Sequence, residues 1–193
     1  EFLSRLGGDV RIITNEDNLG FAKACNQGAA VARGKYLVFL NNDTIPLCGW
    51  LKELVAEAEA DPKVGIVGSK LLYADGTIQH AGVLFMRSRV APYHRYRLAP
   101  ADLPAVNRRC ELQCVTAACM LVRREYFEEA GGFDEGFRNS FEDVDLCLKI
   151  RNKGYRVVYQ PRSVLYHLES QTPGRKLHDE ANAQRLTERW KDH

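Results

Sequence analysis

No apolar run in the chain approaches the ~20 residues that a bilayer-spanning helix requires, which argues against a transmembrane segment. A surplus of one charge is also missing. The 27 Lys and Arg are nearly matched by 25 Asp and Glu, leaving +2. That is too little for a duplex-binding surface, so no nucleic-acid partner is expected. There is no internal repeat and no low-complexity tract. The opening residues, Glu1-Phe2-Leu3-Ser4-Arg5, lack the pattern of a signal peptide or an initiator region and read as a cut inside a longer protein.

What is present is an ordinary globular mix, 45% hydrophobic and 27% charged over 193 residues. A chain of that length buries roughly 70% of its extended surface and needs no disulfide staples. The six cysteines (Cys25, Cys48, Cys110, Cys114, Cys119 and Cys147) are scattered and are expected to be reduced, buried small hydrophobes, as in a cytosolic protein. Cys110, Cys114 and Cys119 do not have the paired spacing of a zinc ribbon.

The first half alternates strand and helix signals. Val10 to Ile13 is a short apolar run closed by the turn-prone Asn15-Glu16-Asp17-Asn18, and helical spacing follows from Gly20 to Gly34. Tyr36 to Leu40 contains no strongly polar side chain and reads as a strand covered on both faces. Pro46 fits a first helical turn ahead of Trp50, Leu51, Leu54, Val55 and Ala58, and Val64 to Gly68 opens another strand. Alternation of this kind predicts a layered α/β domain. Residues 86–109 then carry Arg87, Arg89, Arg95, Arg97, Arg108 and Arg109, with Asp102 the only acid and three prolines (Pro92, Pro100 and Pro104), which predicts an exposed, mobile loop. Beyond it, strands are expected at Val115–Val122, Val157–Tyr159 and Val164–Leu168, and helices over Ser140–Lys153 and Leu177–Lys191.

Four places have the residue types for chemistry. Asn41-Asn42-Asp43 follows directly on the most apolar strand, where open α/β sheets bind ligands. One carboxylate flanked by amides suits a divalent cation and ribose or phosphate oxygens; alternatively, Asp43 or Thr44 caps a helix near Pro46. Glu142-Asp143-x-Asp145 puts three acids at the start of an apolar helix, as a general base would need, or as a capping box from Ser140 would place them. His167 ends a strand and is either a hydrogen-bonded structural residue or a metal ligand. Asn18-x-Gly20-x-x-Lys23-x-x-Asn26 opens a helix with a glycine turn and an amine, a geometry that suits phosphate.

Taken together and in this order, these residues resemble one family. Asn18-Leu19-Gly20-Phe21-Ala22-Lys23-Ala24-Cys25-Asn26-Gln27-Gly28 and Gly34-Lys35-Tyr36-Leu37-Val38-Phe39-Leu40-Asn41-Asn42-Asp43 are similar to the nucleotide half of family 2 glycosyltransferases. Gly131-Gly132-Phe133-Asp134-Glu135 and Phe141-Glu142-Asp143-Val144-Asp145-Leu146 resemble that family's acceptor-side motif, and His167 stands where it often has a histidine. The nearest branch is rhamnosyltransferase-like and builds bacterial surface polysaccharide.

The resemblance implies a GT-A fold, Rossmann-like, with a mixed, mostly parallel sheet flanked by helices and lacking the first strands. It divides the chain into a partial GT-A domain over 1–171 (nucleotide half 9–75, basic loop 86–109, acceptor half 110–171) and a helical tail over 172–193. Asp143 is the implied catalytic base. Gly20, Lys23, Asn26, Asn41, Asn42 and Asp43 are implied on the donor side, and Asp134, Glu142 and Asp145 on the acceptor side. Mg²⁺ or Mn²⁺ would lie at Asp43 and His167, with Asn41 replacing the first acid of the family's metal motif. Ala117, where relatives usually have glycine, would tighten the acceptor wall. The implied partners are a nucleotide-sugar and a saccharide or lipid-linked saccharide acceptor. The implied setting is cytoplasmic, with peripheral contact at the inner membrane face. A non-catalytic truncated module and a sugar-phosphate nucleotidylyltransferase are the alternative readings.

Overall fold

The computed structural model describes residues 8, 10–86, 92–168 and 175–192. Helix α1 (Phe21–Val31) starts at Gly20, whose φ of 80° is costly for any residue with a Cβ. The Asn18 Oδ1 accepts the Gly20 N–H at 3.0 Å and closes the turn. Strand β1 (Tyr36–Leu40) then enters the sheet, β2 (Thr44–Pro46) follows the Asn41-Asn42-Asp43 turn, and α2 spans Trp50–Ala60. Next come β3 (Val64–Leu72), β4 (Ile78–His80), β5 (Val83–Phe85), β6 (Pro92–His94) and β7 (Cys110–Leu112). The chain continues with β8 (Cys119–Arg123), α3 (Arg124–Glu129), α4 (Glu142–Asn152), β9 (Arg156–His167) and α5 (Asp179–Trp190).

The main sheet has the order β1-β8-β3-β9-β2, with β4 against β3 and β7 against β9; β5 and β6 form a separate hairpin. Side chains alternate across it, so Ile66, Met120, Val122, Val157 and Tyr159 pack on one face with Phe127, Phe133, Leu146 and Ile150 of α3, α4 and the segment between. Val67, Leu121, Val158 and Leu165 pack on the other with Leu54 and Ala58 of α2. The layers touch closely at Gly68, where an added Cβ would sit 2.5 Å from the Val115 Cβ.

The layered α/β architecture is as expected, and several details differ. The sheet is mixed, but β3–β9 is its parallel pairing and β1–β8, β3–β8, β2–β9, β3–β4 and β7–β9 are antiparallel. A central strand covered on both faces reads as a continuous apolar run whichever way its neighbours point. β1 itself alternates, with Val38 36% and Leu40 44% exposed, because it is an outer strand of the described sheet. Val10 to Ile13 is exposed and joins no strand among the described residues. Pro46 ends β2 rather than starting a helix, at an outer strand where its missing N–H costs least. The strand expected over Val115–Val122 is confined to Cys119–Arg123, and the two expected near the C-terminus merge into β9.

The basic segment is more structured than expected. Arg87 and Arg89 lie outside the described residues, as do the domain boundaries expected at 9 and 171–172. From Pro92 onward the chain forms β6 and a 3-10 helix over Pro104–Asn107 that buries Val106 completely. Arg109 pairs with Glu57 at 2.7 Å, and Arg97 donates to the Tyr73 hydroxyl at 2.6 Å. Partners distant in sequence, invisible to a local count of acids, hold these arginines.

Candidate active site

A cleft of about 460 Å³ opens beyond the ends of β1 and β9, and Asn41, Asn42, Asp43, Glu142, Asp143 and His167 all line it. The turn at Asp43 is held from several sides. Asn41 N–H donates to Ala118 O, Thr44 N–H and hydroxyl both donate to Asn41 O, and Leu168 N–H donates to Asp43 O. The register of β2 on β9 then places Thr44 opposite His167. Asp43 Oδ1 lies 3.2 Å from His167 Nε2, and the Asn41 amide nitrogen lies 3.4 Å from the same ring nitrogen. Neither Asp43 nor Thr44 caps a helix: α2 begins at Trp50, after a left-handed Gly49.

His167 is only 2% exposed, and its Nδ1 meets the Gln79 side-chain amide at 2.9 Å. Fixing one imidazole nitrogen in this way orients the other, as is usual around a metal-binding histidine. The Asp43 Oδ1 is buried without a hydrogen bond of its own. A buried carboxylate oxygen beside an oriented imidazole is a donor set that suits Mg²⁺ or Mn²⁺. Among the described residues no group of three or more His, Cys, Asp or Glu side chains is arranged to hold a metal, so such an ion would take its remaining ligands from substrate and water.

Asp143 sits in the first turn of α4 with Glu142 and Asp145, where acids are favoured, while Lys149 and Arg151 occupy the last turn. The capping box expected from Ser140 is not formed. Phe141 stands at the N-cap in a left-handed conformation (φ 72°), and Ser140 instead donates to Asp179. Both Asp143 oxygens are held by backbone donors: Oδ2 accepts the Ala117 N–H at 3.0 Å and Oδ1 the Val144 N–H at 2.8 Å. Ala117 is buried and lines the cleft, forming part of the wall beside Asp143.

The other expected residues lie elsewhere. Gly20 and Lys23 line a neighbouring pocket with Arg138 and His178. Asn26 clamps the backbone of Phe133, donating to its O at 2.9 Å and accepting its N–H at 3.0 Å. Asp134 and Asp145 do not line the cleft and serve instead to dock α5. Asp134 pairs with Arg185 and Arg189, and Asp145 with Lys149, Arg189 and the Trp190 indole. Burial opposes ionisation of Asp134, but the Gly136 N–H and the two guanidinium groups prevail and hold it at about 2. Asn182 of α5, itself buried, donates to Arg138 O and to Ser140 O and Oγ, fixing the loop that leads into Glu142 and Asp143.

Gln79, Tyr93, His94, Thr116 and Asp179 also line the cleft and were not singled out from sequence. Gln79-His80 did carry a signal, since two polar residues between Ile78 and Ala81-Gly82-Val83 are unusual for a buried strand. The described cysteines are free; burial pushes the Cys25 and Cys119 thiols up to about 12, so neither is a nucleophile at neutral pH.

The Glycosyl transferase family 2 model matches residues 1–131, a span that includes Asn41 to Asp43 and stops before Glu142, Asp143 and His167. The chain is 42% identical over 150 residues to the O-antigen biosynthesis protein RfbC of Myxococcus xanthus, covering 75% of this chain and 12% of that protein. It is 26% identical over 195 residues to an N-acetylglucosaminyl-diphospho-decaprenol L-rhamnosyltransferase of Mycobacterium tuberculosis, covering 86% of this chain and 61% of the relative. The fold is similar to GalNAc-T7, solved with UDP, GalNAc and Mn²⁺, at a TM-score of 0.71 and 20% identity, over 93% of this chain and 36% of that one. The chain therefore spans less than two thirds of each of these proteins.

Proposed function

The chain belongs to glycosyl transferase family 2, and from that premise we propose that it moves a sugar from a nucleotide-diphosphate donor to a hydroxyl of a saccharide acceptor, with inversion at the anomeric carbon. The observation that carries this reading is the convergence in one cleft of the Asp43–His167 pair and an Asp143 carboxylate oriented by two backbone N–H groups. Bacterial surface polysaccharide is the product class, supported by the likeness to RfbC. The likeness to a rhamnosyltransferase whose name includes a diphospho-decaprenol supports a lipid-linked acceptor, reached at the membrane surface. No helix among the described residues is long and apolar enough to cross a membrane.

In this reaction Asp143 orients the acceptor hydroxyl and takes its proton while the oxygen forms a bond to the anomeric carbon. The bond from that carbon to the diphosphate breaks, and its electron pair leaves with the nucleotide. Asp43 and His167 would hold a divalent cation, which when bound neutralises charge on the leaving diphosphate. The two N–H donors keep Asp143 aimed, so the cleft needs no reorganisation as the proton moves. No covalent enzyme intermediate is required.

Calorimetric titration of UDP, dTDP and GDP with and without Mn²⁺ tests the donor side. At least one nucleotide should bind in a Mn²⁺-dependent manner, and Asp43→Asn should weaken that binding at least about tenfold, or 1.4 kcal/mol. Equal binding with and without Mn²⁺ would remove the metal assignment, and no binding of any nucleotide would remove the function.

A further inference from the structure

One wall of the cleft is built by β4 and the β5–β6 hairpin, and adjacent β4 residues contact different partners there. Gln79 meets His167, as described. His80, with none of its surface exposed, meets His94 of β6, Nδ1 to Nδ1 at 2.9 Å, with the rings edge-on at 79°. The other His80 nitrogen, Nε2, faces the Thr116 backbone N–H at 3.4 Å. A backbone N–H can only donate, so Nε2 of His80 carries no proton and its hydrogen sits on Nδ1. That hydrogen goes to Nδ1 of His94, which leaves His94 with its own proton on Nε2, on the far side of the ring. Burial first, and then the neighbouring His94, His167 and Arg95, push His80 well below the usual histidine range, which keeps His80 itself neutral.

His94 and Tyr93 are exposed and line the same cleft as Glu142 and Asp143. Thr116 N–H binds His80 and the next N–H, that of Ala117, binds Asp143, so two consecutive backbone groups set the hairpin and the base relative to each other. We infer that Tyr93 and His94 form the subsite for the acceptor saccharide: His94 donates its Nε2–H to a sugar oxygen, and Tyr93 lies against the sugar's C–H face. His80 is a positioning residue that selects the His94 tautomer. The chemistry favours an uncharged, hydroxyl-rich ligand over a phosphate. The cleft is lined by four carboxylates, Asp43, Glu142, Asp143 and Asp179, whereas Lys23 and Arg138 line the neighbouring pocket. A ring face with one donor of fixed direction is a sugar-binding arrangement; phosphate calls for cations. This inference rests on the glycosyl-transfer reading and extends it to the acceptor.

Long-range ¹H–¹⁵N imidazole spectra of the protein test it directly. They should show His80 protonated on Nδ1 and His94 on Nε2. Titration with N-acetylglucosamine and methyl α-L-rhamnopyranoside should shift the His94 signals for at least one of them, and metal-free pyrophosphate should not. His94→Ala should weaken that glycoside's binding at least about fivefold, close to the worth of one hydrogen bond. His80→Gln, where amide spectra show it folded, should give His94 in both tautomers; where it does not fold, His94→Ala decides alone. A His94 proton on Nδ1, a response to pyrophosphate, or no response to either glycoside would overturn the subsite. Mn²⁺-dependent nucleotide binding is measured independently, so its loss with glycoside binding intact would leave a saccharide-binding module, and the reverse would remove only this subsite.

Discussion

Replacing Asp143 by asparagine separates catalysis from structure, and the geometry sets both magnitudes. The carboxylate accepts two backbone N–H groups, Ala117 at one oxygen and Val144 at the other. Asparagine offers one oxygen, so its NH₂ must face one of those donors and leave it unsatisfied. That costs about 1–3 kcal/mol in a part-buried setting, more than the loss of a simple helix cap would suggest. For a chain of this size, it corresponds to a fall in Tm of roughly 2–12 °C. Loss of a general base lowers the rate further, by about 10²–10⁴-fold. The assay follows nucleoside diphosphate released during transfer, at a temperature at least about 10 °C below the variant's own Tm, so that folded enzyme is compared with folded enzyme. A loss of less than tenfold alongside the expected fall in Tm would make Asp143 a loop staple and refute its role as base. An unchanged Tm would refute the two-bond geometry.

Asn182→Ala removes the side chain that holds Arg138 and Ser140, so it should cost about 1–3 kcal/mol and raise hydrogen exchange across residues 138–141. Protection there equal to wild type would show that the loop holds itself. Gly68→Ala should destabilise by about 1–3 kcal/mol in urea unfolding, because its Cβ would press on Val115 and both sheet layers are already filled; a neutral result would mean that the loop at Val115 yields freely. Asp134 is depressed from 3.8 to about 2, so its contribution is complete above pH 3.8 and disappears as pH falls toward 2. Acid titration followed by Trp190 fluorescence, with Trp50 replaced by Phe, should show α5 loosening in that window, and Asp134→Asn should remove the transition.

Much of the candidate site could be read from the sequence because the residues that meet in the cleft stand at the ends of regular elements. Asn41 to Asp43 follows an apolar strand, the acids open a helix, and His167 closes a strand. Asp134 and Asp145 look the same in sequence as Asp143, yet cations of α5, more than 40 residues away, claim both. Nothing local encodes that choice. Asn26 likewise resembles a phosphate-side residue until the fold brings Phe133 against it across 107 positions. The same limitation explains the arginine segment: with Glu57 counted, its charge has a partner, whereas a window of 86–109 contains only Asp102. Strand direction was equally hidden, since burial on both faces leaves one hydrophobic signature for parallel and antiparallel neighbours.

The span of β9 has a consequence for the order of assembly. Its C-terminal residue meets the Asn41–Asp43 turn across 126 positions of sequence, whereas Ala117 and Asp143 are only 26 apart. Chain closure becomes entropically costlier with separation, and parallel pairings such as β3–β9 form slowly. The corner containing Asp143 can therefore take shape while the far edge of the sheet is still open, and Asp43 gains its histidine only once β9 has zipped past β3. A ligand that needs both Asp43 and His167 thus binds only chains that have completed the long-range pairing, and its binding can serve as a kinetic signal for the last stage of folding.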